Sequence, residues 1–166
     1  MKHHLALVKT IHPCLKPAQG ESVSDMDIIL SQALLMDSGS VSFKAIKAGE
    51  IADILAGLVA LAYAALQALA VQGNDFVENQ VESRQEYQML AIMRLLSEKI
   101  YRCSSAKAEY YSELYCLCSH LSSGFLNADF DKAFNLYHEW RKNCQESSDK
   151  PNKNTKPIDL SNCLYE

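Results

Sequence analysis

The stretch from Ile54 to Val71, ILAGLVALAYAALQALAV, runs for 18 residues without a charged side chain. Seven of them are alanine, one is glycine and one is glutamine, so the segment is only mildly hydrophobic for its length. Nothing in it alternates as a strand would, and its residues favour helix. A helix that is apolar on every side lies either in a membrane or at the centre of a bundle, and this length is the lower edge of a membrane span. The bundle is favoured because Glu50 and Asp53 come immediately before the segment on the same helix. Alanines 56, 60, 64 and 68 form an i, i+4 stripe that lets another helix approach closely. Burying such a helix completely in a chain of 166 residues predicts that a second subunit covers one face.

The rest of the chain is compatible with that centre. Ser24-Asp25 can cap a short helix to about Met36, with Ile28, Ile29, Ala33, Leu34 and Leu35 as its apolar face. Asp37-Ser-Gly-Ser is expected to break it. A long helix then runs from about Ser42 to Gln72 and stops at Gly73-Asn74-Asp75. Further helices are expected over about 76–103, 106–122 and 129–145. The expected fold is therefore all-α, a bundle of four to five helices in one domain over residues 1–145. Pro13, Pro17 and Gly20 make residues 1–24 read as an irregular arm. The polar stretch 146–166, with Pro151 and Pro157, reads as a tail that is disordered or lies along the surface.

Charge and cysteine usage narrow the function. A net charge of −4 gives no electrostatic reason to expect nucleic-acid binding. The opening MKHHLALVKTIHPC has an apolar run of only four residues before a lysine and is not a secretory signal, so a cytoplasmic, reducing setting is expected. Cys116 and Cys118 do not match zinc-site spacing, and the six cysteines read as small core residues with free thiols. There is no Gly-rich phosphate loop, nucleophile elbow or zinc-protease helix.

Glu50 and Asp53 stand at i and i+3, so both carboxylates project from one helix face. That spacing suits Mg²⁺, which takes one or two carboxylates and completes its shell with water and phosphate oxygens. It equally suits a helix start, where acids stabilise the macrodipole by a few tenths of a kcal/mol. The run Glu50-Ile-Ala-Asp53-Ile-Leu, followed by an apolar helix carrying Tyr63, resembles the Glu-x-x-Asp helix of the MazG-like and phosphoribosyl-ATP pyrophosphohydrolase superfamily. Further on, Asp131-Lys-Ala-Phe-Asn-Leu-Tyr-His138-Glu-Trp-Arg141-Lys142 resembles the helix that closes the site in many members.

The resemblance implies an all-α homodimer or homotetramer that cleaves the α–β phosphate bond of a nucleoside triphosphate or related nucleotide. Glu50 and Asp53 would hold Mg²⁺, or Mn²⁺, and serve as the catalytic pair. His138, Arg141 and Lys142 would contact the phosphates or base. No membrane and no nucleic acid are expected as partners. The chain departs from the family where a preceding helix supplies Glu-Glu-x-x-Glu: Ser31 and Gln32 stand there, and Gly57 replaces a further acid one turn after Asp53. A catalytically inactive scaffold that keeps the bundle is the alternative. Without the resemblance, His138 reads as a surface or interface histidine, Arg141 and Lys142 as helix-end cations, and the other tyrosines as bundle packing.

Overall fold

In the computed structural model, residues 2–13, 23–78, 88–146 and 157–165 are described. Among them the chain is all-α, with helices α1 (Lys2–Ile11), α2 (Asp25–Ala48), α3 (Ile51–Val71), α4 (Met89–Arg102), α5 (Ala108–His120) and α6 (Phe130–Glu146). A 3₁₀ turn follows α4 at Cys103–Ser105, a π turn follows α5 at Leu121–Phe125, and a last 3₁₀ turn forms at Ser161–Cys163.

Helix α3 is the centre, packed by α1, α2, α5 and α6. It is long and apolar enough to cross a membrane, and 78% of its most apolar window is buried inside the bundle. Leu55, Leu58, Leu61, Leu66 and Leu69 lie at 1% exposure or less. Each such leucine contributes about 2 kcal/mol relative to an exposed one. Within this chain, α1, α2, α5 and α6 supply the cover.

The first break falls elsewhere than expected. Asp37-Ser-Gly-Ser continues the helix: Ser42 Oγ donates to Ser38 O at 2.9 Å, and Gly39 gives room to Ile100 of α4. The glycine is there for packing rather than for a turn. The real stop is Gly49 at φ +82°, whose N–H donates to Ala45 O. Only glycine takes this left-handed end without strain. Ser24 caps α2 as expected, accepting from Asp27 N at 3.2 Å. Gly73, at φ +66°, ends α3 at its expected place.

The two chain ends also differ from expectation. Residues 2–11 form a helix whose narrow face, His4, Leu5 and Val8, is buried. Pro13 follows that helix rather than disrupting it, which is where proline is tolerated. Toward the other end, Leu160 and Cys163 are buried, and Asp129 N donates to Cys163 O at 2.8 Å while Tyr165 N donates to Asn127 O at 2.9 Å. Polarity concealed two apolar anchors in that segment. Residues 76–78, where the 76–103 helix was expected to start, are not helical; positions 79–87, with Glu82 and Glu86, lie outside the described residues, and α4 begins at Met89.

Cys103, Cys116, Cys118 and Cys163 are free and buried, as core residues should be. Burial pushes the Cys103 thiol up to about 12, leaving it protonated and inert at neutral pH.

Candidate functional site

A cavity of about 590 Å³ opens between α2, α3, α6 and the segment at Pro157–Ile158. One face of α3 floors it through Asp53, Ala56, Ala60, Tyr63, Ala64 and Gln67. Three alanines of the stripe line this ligand-sized void. Helix α6 supplies Tyr137, Trp140 and Arg141 at i, i+3 and i+4, and α2 supplies Asp37 and Lys44. The two segments singled out in the sequence, around Asp53 and Arg141, therefore meet in one cavity.

Their ends of it are far apart. Asp53 and Tyr63 are ten residues apart on α3, about 15 Å along the axis. Arg141 belongs to the Tyr63 end, with its guanidinium carbon 5.8 Å from the Tyr63 ring centroid. Arg141 Nε is buried and makes no hydrogen bond among the described residues. Helices α2 and α3 run antiparallel through the tight Gly49–Glu50 connection, and Ser42 faces Gly57 at their crossing. Asp37 consequently lies near the Tyr63 end, about 14 Å along the axis from Asp53. Those two carboxylates cannot share one cation.

His138 is 3% exposed, not at the surface, and its Nδ1 lies 3.4 Å from Tyr63 Oη. Burial holds its pKa below the ordinary value, with Glu139 opposing. Burial likewise pushes the Tyr63 phenol up to about 12, with Arg141 opposing, so the hydroxyl keeps its proton. His12 also has a lowered pKa, from burial first and then Arg141 and His138, and its ring meets Tyr63 edge-on at 6.1 Å. His138 thus stands behind Tyr63 as a neutral support rather than at the cavity wall.

Glu50 is the N-cap residue of α3, is exposed, makes no side-chain cap bond and does not line the cavity. Asp53 sits in the first turn of the same helix and is exposed at the mouth. Lys142 is exposed and does not line the cavity. The positions of the expected acidic motif also point elsewhere. Ser31 is buried, and Gln32 Nε2 donates to Ile100 O of α4 at 3.0 Å. Gly57 has no room for an acid, because a Cβ there would meet Ser42 Cα at 2.8 Å.

Among the described residues, no group of three His, Cys, Asp or Glu ligand atoms includes Glu50 or Asp53. One or two carboxylates suit Mg²⁺ only when phosphate oxygens and water supply the rest of its shell. The donor set therefore fits a magnesium ion that arrives with a nucleotide, not one held by the protein alone.

Lys44, Tyr137 and Trp140 were not singled out for this site in the sequence. The i, i+3, i+4 relation of Tyr137, Trp140 and Arg141 was the signal available for the latter two. The chain finds no match among family models, curated proteins or solved structures.

Proposed function

We propose that this chain binds a nucleoside triphosphate or related nucleotide in the α2–α3–α6 cavity, as a pyrophosphohydrolase-like protein that cleaves the α–β phosphate bond with Mg²⁺. The observation that carries the reading is the convergence of Arg141, Tyr137 and Trp140 with Asp53 on one cavity. Aromatic faces suit stacking on a base, and a half-buried arginine whose Nε–H is unused suits a phosphate oxygen. Lys44 adds a second cation along the wall. Mg²⁺ would supply charge neutralisation on the phosphates, with Asp53, and Glu50 if its side chain turns inward, as the protein's carboxylates. Arg141 would orient the phosphates, and Tyr63, held by His138, would donate a hydrogen bond to a bound oxygen.

The test is release of pyrophosphate from each common nucleoside triphosphate with Mg²⁺ or Mn²⁺, by wild type and by Asp53→Asn. Release that falls at least tenfold in the variant supports hydrolysis at this site. Release unchanged by the substitution, or absent for every nucleotide, removes the enzymatic reading.

The inactive scaffold is favoured by one specific observation: a single carboxylate of the expected set lines the cavity. A surface for self-association exists for either reading. Met26 at 61%, Ile29 at 59% and Leu30 at 57% exposure, with Leu34 and Val41, form an uncovered apolar face on α2. A homodimer or homotetramer through α2 predicts that Leu30→Glu shifts the sedimentation coefficient toward that of a monomer.

A further inference from the structure

We propose that His3, His4 and Asp131 form a binding site for one zinc-like divalent cation that ties α1 to α6. The inference is independent of the nucleotide cavity. One ligand atom from each of the three residues lies within 4.8 Å of the others.

His4 carries the argument. Its side chain is wholly buried, and its Nδ1 lies 2.6 Å from the Tyr115 hydroxyl. Its other nitrogen, Nε2, is sealed from solvent, makes no hydrogen bond and lies 3.4 Å from Asp131 Oδ1. A buried polar atom without a partner is costly and rare, and calls for an explanation. A cation between Nε2 and the carboxylate supplies one. Two ligands bound tetrahedrally to zinc at their usual bond lengths lie about 3.3 Å apart, close to the observed separation.

The surroundings are those of a ligand already positioned. The His4 ring stacks on Phe134, with centroids 4.0 Å apart and planes 19° apart, and meets Phe130 and Tyr115 edge-on. Tyr115 occupies the nitrogen that does not bind the cation, as an outer partner does for metal-bound histidines. His3 lies beside it, with ring centroids 4.0 Å apart. His3 and Asp131 are exposed, so the cation has a path in, and a short swing of two surface side chains closes the set. Two imidazoles and a carboxylate favour zinc and its transition-metal neighbours over Mg²⁺ or Ca²⁺. Three protein ligands leave a fourth position for water.

The test uses the full chain, without an affinity tag and stripped by a chelator, titrated with Zn²⁺ and separately with Co²⁺. The expected result is one ion per chain, a visible tetrahedral Co²⁺ absorption and a zinc-dependent rise in thermal midpoint. Asp131→Asn and His3→Gln, both exposed and tolerable to the fold, should each weaken binding by about 10–100-fold. Failure of wild type to bind Zn²⁺ at equimolar concentration overturns the proposal. So does wild-type affinity in both variants, or binding abolished by thiol alkylation but not by Asp131→Asn, which would place the ion on cysteines.

Discussion

Replacing Gly57 by alanine should destabilise the protein although alanine is the better helix former. A Cβ at this position would stand 2.8 Å from Ser42 Cα, 2.9 Å from its Oγ and 3.2 Å from its Cβ. Carbon atoms pack best at about 3.5–4.0 Å, so α2 and α3 must part locally by the better part of an ångström. Backbone lies on the other side of the contact, so no rotamer change relieves it. Overpacking of this kind costs about 1–3 kcal/mol, while helix propensity returns up to about 1 kcal/mol. Because the clash is with backbone, the overpacking cost falls in the upper half of its range, and the expected net loss is about 1–2 kcal/mol, or roughly 2–8 °C in Tm for a chain of this size. Gly39→Ala is the internal control. Its Cβ would meet only Ile100 Cδ1, at 2.8 Å, the free end of a flexible side chain. That variant should stay within about 1 kcal/mol of wild type, because propensity and a small repacking nearly cancel. Urea unfolding of both variants decides the matter. A Gly57→Ala protein as stable as Gly39→Ala would refute the close α2–α3 crossing.

Three further outcomes follow from paired polar groups. His4 has its pKa lowered to about 3 by burial first, then by His3, the N-terminal amine and His138, with the exposed Asp131 carboxylate 3.4 Å away. The unfolded chain takes up this proton below about pH 6.5 and the folded chain does not, so stability is full above that value and falls toward pH 3, by about 1.4 kcal/mol per unit for this group. Urea midpoints with chelator at pH 7, 6 and 5 should show it, and His4→Gln should have the shallower slope. Tyr115→Phe keeps the core volume but leaves His4 Nδ1 unpaired, costing about 1–2 kcal/mol by denaturant unfolding. Glu113 joins α5 to α4 through Lys99 Nζ at 2.8 Å and Arg102 Nη1 at 2.9 Å, all partly exposed. Glu113→Gln should cost about 1 kcal/mol, and less at high salt, in the same assay.

The central helix was legible because an uncharged apolar stretch with an acidic start has few places to go. The α2 boundary was not. Asp37-Ser-Gly-Ser has turn composition, but Gly39 serves the approach of α4, a tertiary fact with no local signal. Likewise the stripe of Ala56, Ala60 and Ala64 announces missing side-chain volume, and only packing determines whether a helix or a void fills it. At the N-terminus, Pro13 and Pro17 weighed more than the short stripe of His4, Leu5 and Val8, though proline ends a helix as readily as it prevents one. In the site, the meeting of the Asp53 and Arg141 segments was legible. The positions of Glu50 and Lys142 outside the cavity were not, because a helical shift of one residue turns a side chain by 100°.

The most direct test of the account is calorimetric titration of a non-hydrolysable nucleoside triphosphate, with Mg²⁺, into wild type, Arg141→Gln and Lys142→Gln. The account predicts that wild type and Lys142→Gln bind alike and that Arg141→Gln binds at least tenfold more weakly with its fold intact by circular dichroism. Equal binding by Arg141→Gln, or no binding by wild type to any nucleotide tried, would contradict it.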